Sequence, residues 1–183
     1  DMAVSWVNGP VMRGGVVRAA RRWRYDQEGY LRTLAQLPDK TGFSFLRYED
    51  LLAAPEAELR RVCTELILPF EERLLDFSRV SSSAQKDATR SSMWKNLDRG
   101  ILTGNSGKYA NALNADEVAY IEAVTEPHMQ AMGFRPITPA SAPFRRFDNL
   151  AELEAHLEAR EPHSKPTYAS LPQSERDRFE NWS

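Results

Sequence analysis

The chain has few cysteines and histidines and no long apolar run, which are the features that most often indicate a function from sequence. It holds one cysteine, Cys63, in 183 residues, which excludes an internal disulfide. Its three histidines, His128, His156 and His163, have no second ligand at a useful spacing. No apolar run approaches the roughly 18 residues that a membrane span requires. We therefore predict no disulfide framework, no metal site and no membrane span.

The chain also lacks a general excess of positive charge. Its 24 basic and 26 acidic residues give a formal net charge of −2 and a pI near 6.0. Without a cationic field, neither nucleic acid nor a membrane surface is expected as a general partner. A local basic cluster does exist, consisting of Arg18, Arg21, Arg22 and Arg24 around Trp23. At this spacing such a cluster is most often a solvated helix face.

The most informative stretch is 45–59, which reads as a buried strand followed by a helix. The bulky residues Phe43, Phe45 and Leu46 predict a strand over 42–48. A helix is predicted over 55–67, because Pro55 suits a first helical turn and apolar residues recur at helical spacing after it. In open parallel sheets, ligands bind where strands end. The polar residues at this junction could therefore face a ligand; the alternative is that they cap a helix and pair with one another. These residues are Arg47, Tyr48, Glu49 and Asp50.

The remaining pattern is mostly helical. A helix is predicted over 3–7, and a longer one over 16–37 that Pro38 ends. Residues 78–106 are serine-rich and are predicted to be irregular. Asn114 and Glu117 form a predicted capping box for a closing helix. An amphipathic helix over 147–160 and an extended tail from Glu161 complete the prediction of an α/β chain with helices in the majority.

Three blocks, in the same order, resemble the sulfotransferases that use 3′-phosphoadenosine 5′-phosphosulfate (PAPS). Together they cover roughly residues 1–135. The first block is Asp-Met-Ala-Val-Ser-Trp at 1–6, and the second is Arg-Tyr-Glu-Asp-Leu-Leu-Ala-Ala-Pro-Glu from residue 47, followed by Leu-Pro-Phe-Glu-Glu-Arg at 68–73. The third comprises Asn-Ser-Gly-Lys-Tyr at 105–109, the helix from Leu113, and Met-Gln-Ala-Met-Gly-Phe at 129–134.

The resemblance implies a P-loop-NTPase-like, three-layer α/β fold that is helix-rich and has a parallel sheet. In the family, the first strand, the phosphosulfate loop and the catalytic base all precede the segment that Asp1 begins. The chain is accordingly interpreted as the C-terminal two-thirds of such a domain, with no catalytic residue of its own. Residues 1–135 would belong to that domain, and 136–183 would form a C-terminal extension.

The resemblance also implies a set of residues that bind PAPS. Ser5 and Lys108, after the flexible Gly107, would hold the 3′-phosphate, and Tyr48 would seat the adenosine. Ser82 and Ser83 align loosely with a segment that contacts adenine, although Ala84 cannot stack on a base as the family's aromatic residue does. Three of these residues also have a simpler interpretation. Ser5 could be an ordinary serine at a helix start, Lys108 a solvated lysine in a surface turn, and Tyr48 a half-buried aromatic residue at the end of a strand.

The function that the resemblance implies is sulfuryl transfer from PAPS to a hydroxyl or amine, without a metal, leaving 3′-phosphoadenosine 5′-phosphate (PAP). The acceptor would be a small molecule or a carbohydrate, and the basic cluster could line the route of an anionic one. A cytoplasmic location is expected, and the C-terminal extension could join two copies of the chain. Two alternatives stay open: a non-catalytic helical interaction module, and another nucleotide-dependent transferase such as a kinase.

Overall fold

The computed structural model describes residues 1–9, 14–39, 42–90, 94–102, 104–138 and 147–161, together with residues 173 and 176. Contacts divide the chain into two compact units. Unit 1 comprises 1–37 and 108–166, and unit 2 comprises 38–107 and 167–183. The helices are α1 Met2–Asn8, α2 Val16–Gln36, α3 Tyr48–Ala53, α4 Pro55–Glu65, a 3₁₀ helix Glu72–Asp76, α5 Phe77–Val80, α6 Ser82–Arg90, α7 Tyr109–Ala112, α8 Ala115–Ala131 and α9 Leu150–Arg160.

The predicted α/β fold with a parallel sheet is wrong for the part of the chain that is described. Those residues form helices, turns and irregular segments, and none of them forms a β-strand. The parallel sheet was inferred from the family resemblance and from the apparent strand at 42–48.

Residues 43–47 are irregular, and Tyr48 begins α3 instead of ending a strand. The polar groups of this segment bond to α4. The Phe45 carbonyl accepts a hydrogen bond from Arg61 at 2.8 Å, and the Ser44 hydroxyl donates to Glu65 at 2.6 Å. For the Phe45 carbonyl, a side chain of a helix thus supplies the partner that a neighbouring strand would supply in a sheet. The bulk of Phe45 favoured a strand, but in the structure this residue is 38% exposed.

The prediction that 78–106 is irregular is also wrong in part, because α6 occupies Ser82–Arg90. The Ser81 hydroxyl accepts a hydrogen bond from the Ala84 N–H at 3.2 Å and so caps the start of this helix. Serine-rich sequence predicts loops because serine bonds to nearby backbone, and the same property makes serine a helix cap.

Unit 1 is built around α2, which packs on α1, α8 and α9. Only the first turns of α2 are buried, at Val16, Val17, Ala19 and Ala20. The core is completed from the other helices. Its buried members are Val16, Val17, Ala20, Tyr120, Leu153 and Leu157.

Local signals fix the starts of α8 and α9. The Asn114 side chain accepts from the N–H groups of Asp116 and Glu117 at 3.0 and 3.1 Å, and Glu117 accepts from the Asn114 N–H at 2.8 Å. The predicted capping box is therefore confirmed. Asn149 caps α9 by accepting from Glu152 N–H at 3.0 Å, so this helix begins three residues after its predicted start.

The described part of unit 2 contains short helices and irregular segments. Helix α3 and the 3₁₀ helix contact α4, and α5 contacts the 3₁₀ helix and α6. Cys63 is buried on α4. The tail predicted from Glu161 lies outside the described residues, apart from Glu161, Gln173 and Arg176. In the described ranges, no helix has both the length and the apolar character needed to cross a membrane.

Candidate functional site

Lys108 lies in unit 1 at the N-cap of α7 and is exposed. Within the described ranges, no carboxylate forms an ion pair with its ammonium group. Gly107, the last residue of unit 2 before it, has a φ of +74°, a conformation that favours glycine. A free ammonium group after such a turn is suited to receive a phosphate.

Ser5 lies in unit 1, in the middle of the seven-residue helix α1, and is exposed. Its N–H donates to the carbonyl of Asp1 at 3.1 Å, an ordinary intrahelical bond. Ser5 is thus not at the helix start, where free N–H groups would support an anion. What it offers a ligand is its hydroxyl group.

A long-range hydrogen bond joins the first and third blocks inside unit 1. The backbone N–H of Tyr109 donates to the Asp1 carboxylate at 3.1 Å, across 108 residues. Helices α1 and α7 are in contact, so the helix that carries Ser5 and the turn that carries Lys108 are neighbours. The structure therefore brings together the two elements predicted to hold the 3′-phosphate.

Tyr48 lies in unit 2 at the first position of α3, with 45% of its surface exposed. Its hydroxyl oxygen accepts a hydrogen bond from the side chain of Asn105 at 2.6 Å. Asn105 belongs to the third block, and the resemblance implies no role for it. Its contact with Tyr48 orients the phenol ring and leaves much of that ring accessible.

Ser82 and Ser83 are the first two residues of α6 in unit 2, and both are exposed. In the described part of unit 2, no hydrogen bond connects either serine with Tyr48.

Two of the three charged residues of the junction, Arg47 and Asp50, pair with each other. Arg47 donates two hydrogen bonds to Asp50, both at 2.6 Å, in a bidentate arrangement. The hydrogen bond from Arg47 lowers the pKa of Asp50, and the same bond raises the pKa of Arg47. This pairing is the alternative that the sequence left open for these two residues.

A crevice of about 110 Å³ lies elsewhere in unit 1, and none of the predicted site residues lines it. It is lined by residues from the start of α2, the start of α8 and the end of α9. Among them are Gly15, Val16, Asn114, Leu157, Arg160 and Glu161. The Glu161 carboxylate packs against Gly15, with Oε1 2.5 Å from the position that a Cβ would take.

Sequence reasoning missed a polar network beside the core of unit 1. The Tyr120 hydroxyl donates to Glu154, which also accepts from Arg21 at 2.5 Å. Burial and the hydrogen bond to Glu154 raise the pKa of Tyr120. The acidic composition of 147–160 and the basic cluster were both visible in the sequence, but their pairing depends on how α2 and α9 pack.

Comparison with known proteins does not identify a family for this chain. No family model, no curated protein and no solved structure matches the chain. Among the described residues, no group of three or more histidine, cysteine or carboxylate side chains is arranged to hold a metal ion.

Proposed function

We propose that the chain binds the 3′-phosphoadenosine part of PAPS and serves sulfuryl transfer to a hydroxyl or amine. The observation that carries the proposal is the position of Lys108, an exposed ammonium group without a described ion-pair partner, on an element next to α1. The Asp1–Tyr109 hydrogen bond supports it, because it ties the elements of Ser5 and Lys108 in one unit.

The chemistry assigned to each residue is modest. The Lys108 ammonium provides a counter-charge for a phosphate, and the Ser5 hydroxyl can donate a hydrogen bond to one of its oxygens. A lysine is a point charge, which lacks the bidentate fork of an arginine, so Lys108 would hold the group less rigidly. No residue of the chain is assigned the role of a catalytic base.

The test is a calorimetric titration of the chain with PAP and with adenosine monophosphate, which lacks the 3′-phosphate. Lys108→Ala should weaken PAP binding about tenfold, the loss of one exposed charge-assisted contact. Binding of adenosine monophosphate should stay the same. Lys108→Arg should restore or improve PAP binding, since arginine can form two hydrogen bonds with phosphate.

Lys95→Ala is the matched control, since it removes an equal charge from another exposed position. Equal losses for the two nucleotides would remove Lys108 from the 3′-phosphate site. If the unaltered chain binds neither nucleotide, the proposal fails. Release of PAP from PAPS in the presence of hydroxyl or amine acceptors then tests transfer itself.

The second candidate is a non-catalytic helical interaction module. The observation that favours it is the absence of a strand from the described residues, since the resemblance to sulfotransferases implies a fold with a parallel sheet. Under this hypothesis PAP does not bind, and the exposed faces of the helices contact another protein. The PAP titration therefore separates the two candidates.

A further inference from the structure

The Asp1 side chain does not cap its own helix. Asp1 is the N-cap residue of α1, but it forms no side-chain capping hydrogen bond there. Aspartate is among the residues that best cap a helix start, because its carboxylate accepts from the N–H groups of the first turn. Here the carboxylate accepts from the Tyr109 N–H in α7, at 3.1 Å. The side chain of Asp1 thus serves a contact between two helices of unit 1.

Helix α7 has only four residues and no cap of its own. Its N-cap residue, Lys108, forms no side-chain capping hydrogen bond, and Tyr109 is the first residue of the helix. One helical turn is marginal in isolation, since few hydrogen bonds offset the cost of ordering its backbone. The N–H group of a first helical residue also has no partner within its helix. Asp1 supplies that partner from α1.

Asp1 is hydrogen-bonded on both sides of the proposed phosphate site. Its backbone carbonyl accepts from the Ser5 N–H at 3.1 Å, while its carboxylate holds the residue that directly follows Lys108. Helices α1 and α7 are also in contact. One residue therefore links the helix that carries Ser5 to the turn that carries Lys108.

The Asp1 carboxylate fixes this turn without neutralising its cation. Lys108 is exposed, and within the described ranges its ammonium group forms no ion pair with Asp1 or with another carboxylate. The hydrogen bond to the main chain leaves the ammonium group available to an anion. A cation held in place before binding gains affinity, because the cost of ordering it is not charged to the ligand.

We propose that Asp1 is a positioning residue of the phosphate site, which holds Lys108 beside Ser5 and so strengthens binding of the 3′-phosphate. This inference rests on the proposed function and gives a role to a residue outside the predicted PAPS-binding set. Asp1 acts through Lys108, since a carboxylate in contact with a phosphate would repel it. Its hydrogen bond favours binding and its charge opposes binding, and substitution can separate the two.

The test is a calorimetric titration with PAP. Asp1→Ala removes the carboxylate with its hydrogen bond, whereas Asp1→Asn removes the charge and keeps an oxygen that can accept from the Tyr109 N–H. Asp1→Ala should bind PAP about fivefold more weakly than Asp1→Asn, the effect of one hydrogen bond. Asp1→Asn should bind PAP at least as tightly as the unaltered chain. Adenosine monophosphate should bind equally to all three, because it lacks the 3′-phosphate.

Asn149→Ala is the matched control, because it removes the cap hydrogen bond of α9 in the same unit. It should leave the affinity for PAP within about twofold. In a chain that already carries Lys108→Ala, Asp1→Ala should cause no further loss, since a positioning residue acts through the residue that it positions. Circular dichroism checks that each variant keeps its helices.

Equal PAP affinities for Asp1→Ala and Asp1→Asn would overturn the inference. So would losses that add in the Asp1→Ala, Lys108→Ala double variant, because Asp1 would then act independently of Lys108. In either case Lys108→Ala alone can still weaken PAP binding, and the proposed function stands. If the unaltered chain binds no PAP, the proposed function and this inference fail together.

Discussion

The contacts inside unit 1 differ in kind from the contacts inside unit 2. In unit 1, side chains far apart in sequence share a core: Val17, Tyr120 and Leu153 are at most 2% exposed. In the described part of unit 2, the buried apolar side chains are Leu52 and Cys63, which are 8% and 7% exposed. Most of the apolar burial that stabilises a fold therefore lies in unit 1.

The ion pairs of helix α4 in unit 2 join residues that are close in sequence. Arg61 pairs with Glu58 and Glu65, three and four residues away, and Arg60 pairs with Glu56. Exposed pairs of this kind contribute little to stability, typically about 0.3–0.5 kcal/mol each on a helix. They fix local geometry more than they hold a unit together.

The difference teaches that the two units should respond to different substitutions. Unit 1 should be sensitive to the loss of buried volume, because its helices depend on one another. Unit 2 should be sensitive to backbone geometry, because few buried contacts compensate for local strain. Three substitutions test this contrast, in order of decreasing effect.

Leu153→Ala should have the largest effect. Leu153 is 0% exposed and belongs to the core that joins α9 to α2 and α8. Removing its side chain leaves a cavity, so the free energy of unfolding in urea should fall by about 2–5 kcal/mol. Leu68→Ala is the control in unit 2, where the side chain is 56% exposed and the change should be within about 0.5 kcal/mol. Equal losses would remove the contrast between the units.

Tyr120→Phe should have an intermediate effect, about 1 kcal/mol at neutral pH, because it removes the hydrogen bond to Glu154. It should also change the pH dependence. Burial, followed by the hydrogen bond to Glu154, raises the pKa of Tyr120 above its ordinary value of 10.0.

The sign of this pH effect follows from the proton balance. Above pH 10 the unfolded chain loses the tyrosine proton while the folded chain keeps it, so the stability supplied by Tyr120 is lost as pH rises. In Tyr120→Phe the decline in unfolding free energy as the pH rises above about 10 should therefore be shallower. Tyr25→Phe, at a position 72% exposed, is the control and should follow the unaltered chain. If the unfolding free energy of Tyr120→Phe declines with pH as steeply as that of the unaltered chain, Tyr120 is not the cause of the decline.

The parts of the fold that sequence could predict are those set by local signals. The start of α8 follows from the bonding of Asn114 and Glu117, and the end of α2 lies one residue before that predicted from Pro38. The segment 42–48 could not be predicted in this way. Its apolar side chains favour a strand, but a strand also needs a neighbour, and the polar groups at Ser44 and Phe45 bond to α4 instead.

In the candidate site, too, the sequence predicts local features but not contacts between residues that are distant in sequence. The sequence identified Lys108 and Tyr48 as residue types suited to a nucleotide, and both prove to be exposed. It could not reveal that Tyr48 bonds to Asn105, 57 residues away, because spacing carries no information about that contact. It also placed Ser5 at a helix start, whereas α1 begins at Met2 and uses the Ser5 N–H internally.

Ile67→Gly should have the smallest effect, and of the opposite sign. After α4, Ile67 N–H donates to Thr64 and Leu68 N–H donates to Cys63, at 3.1 and 2.8 Å. This is the Schellman motif, in which the residue after the C-cap is usually glycine. Ile67 has a φ of +58° and is 79% exposed, so a β-branched side chain sits in a strained conformation with little burial to offset it. Glycine should raise the unfolding free energy by about 0.5 kcal/mol, because relief of the left-handed conformation is partly offset by the larger backbone entropy of glycine in the unfolded chain.

Unit 1 contains the same motif with the favoured residue, which supplies the matched control. After α8, Gly133 has a φ of +74°, its N–H donates to Gln130 at 3.1 Å, and the Phe134 N–H donates to Met129 at 2.8 Å. Gly133→Ala should therefore lower the unfolding free energy by about 1 kcal/mol, while Ile67→Gly raises it. Ile67→Ala separates backbone strain from exposure, because it keeps a Cβ at positive φ and removes most of the exposed apolar surface. If Ile67→Ala raises the unfolding free energy as much as Ile67→Gly does, the exposed side chain of Ile67, and not its backbone strain, is what lowers the stability. Backbone geometry would then not limit the stability of unit 2.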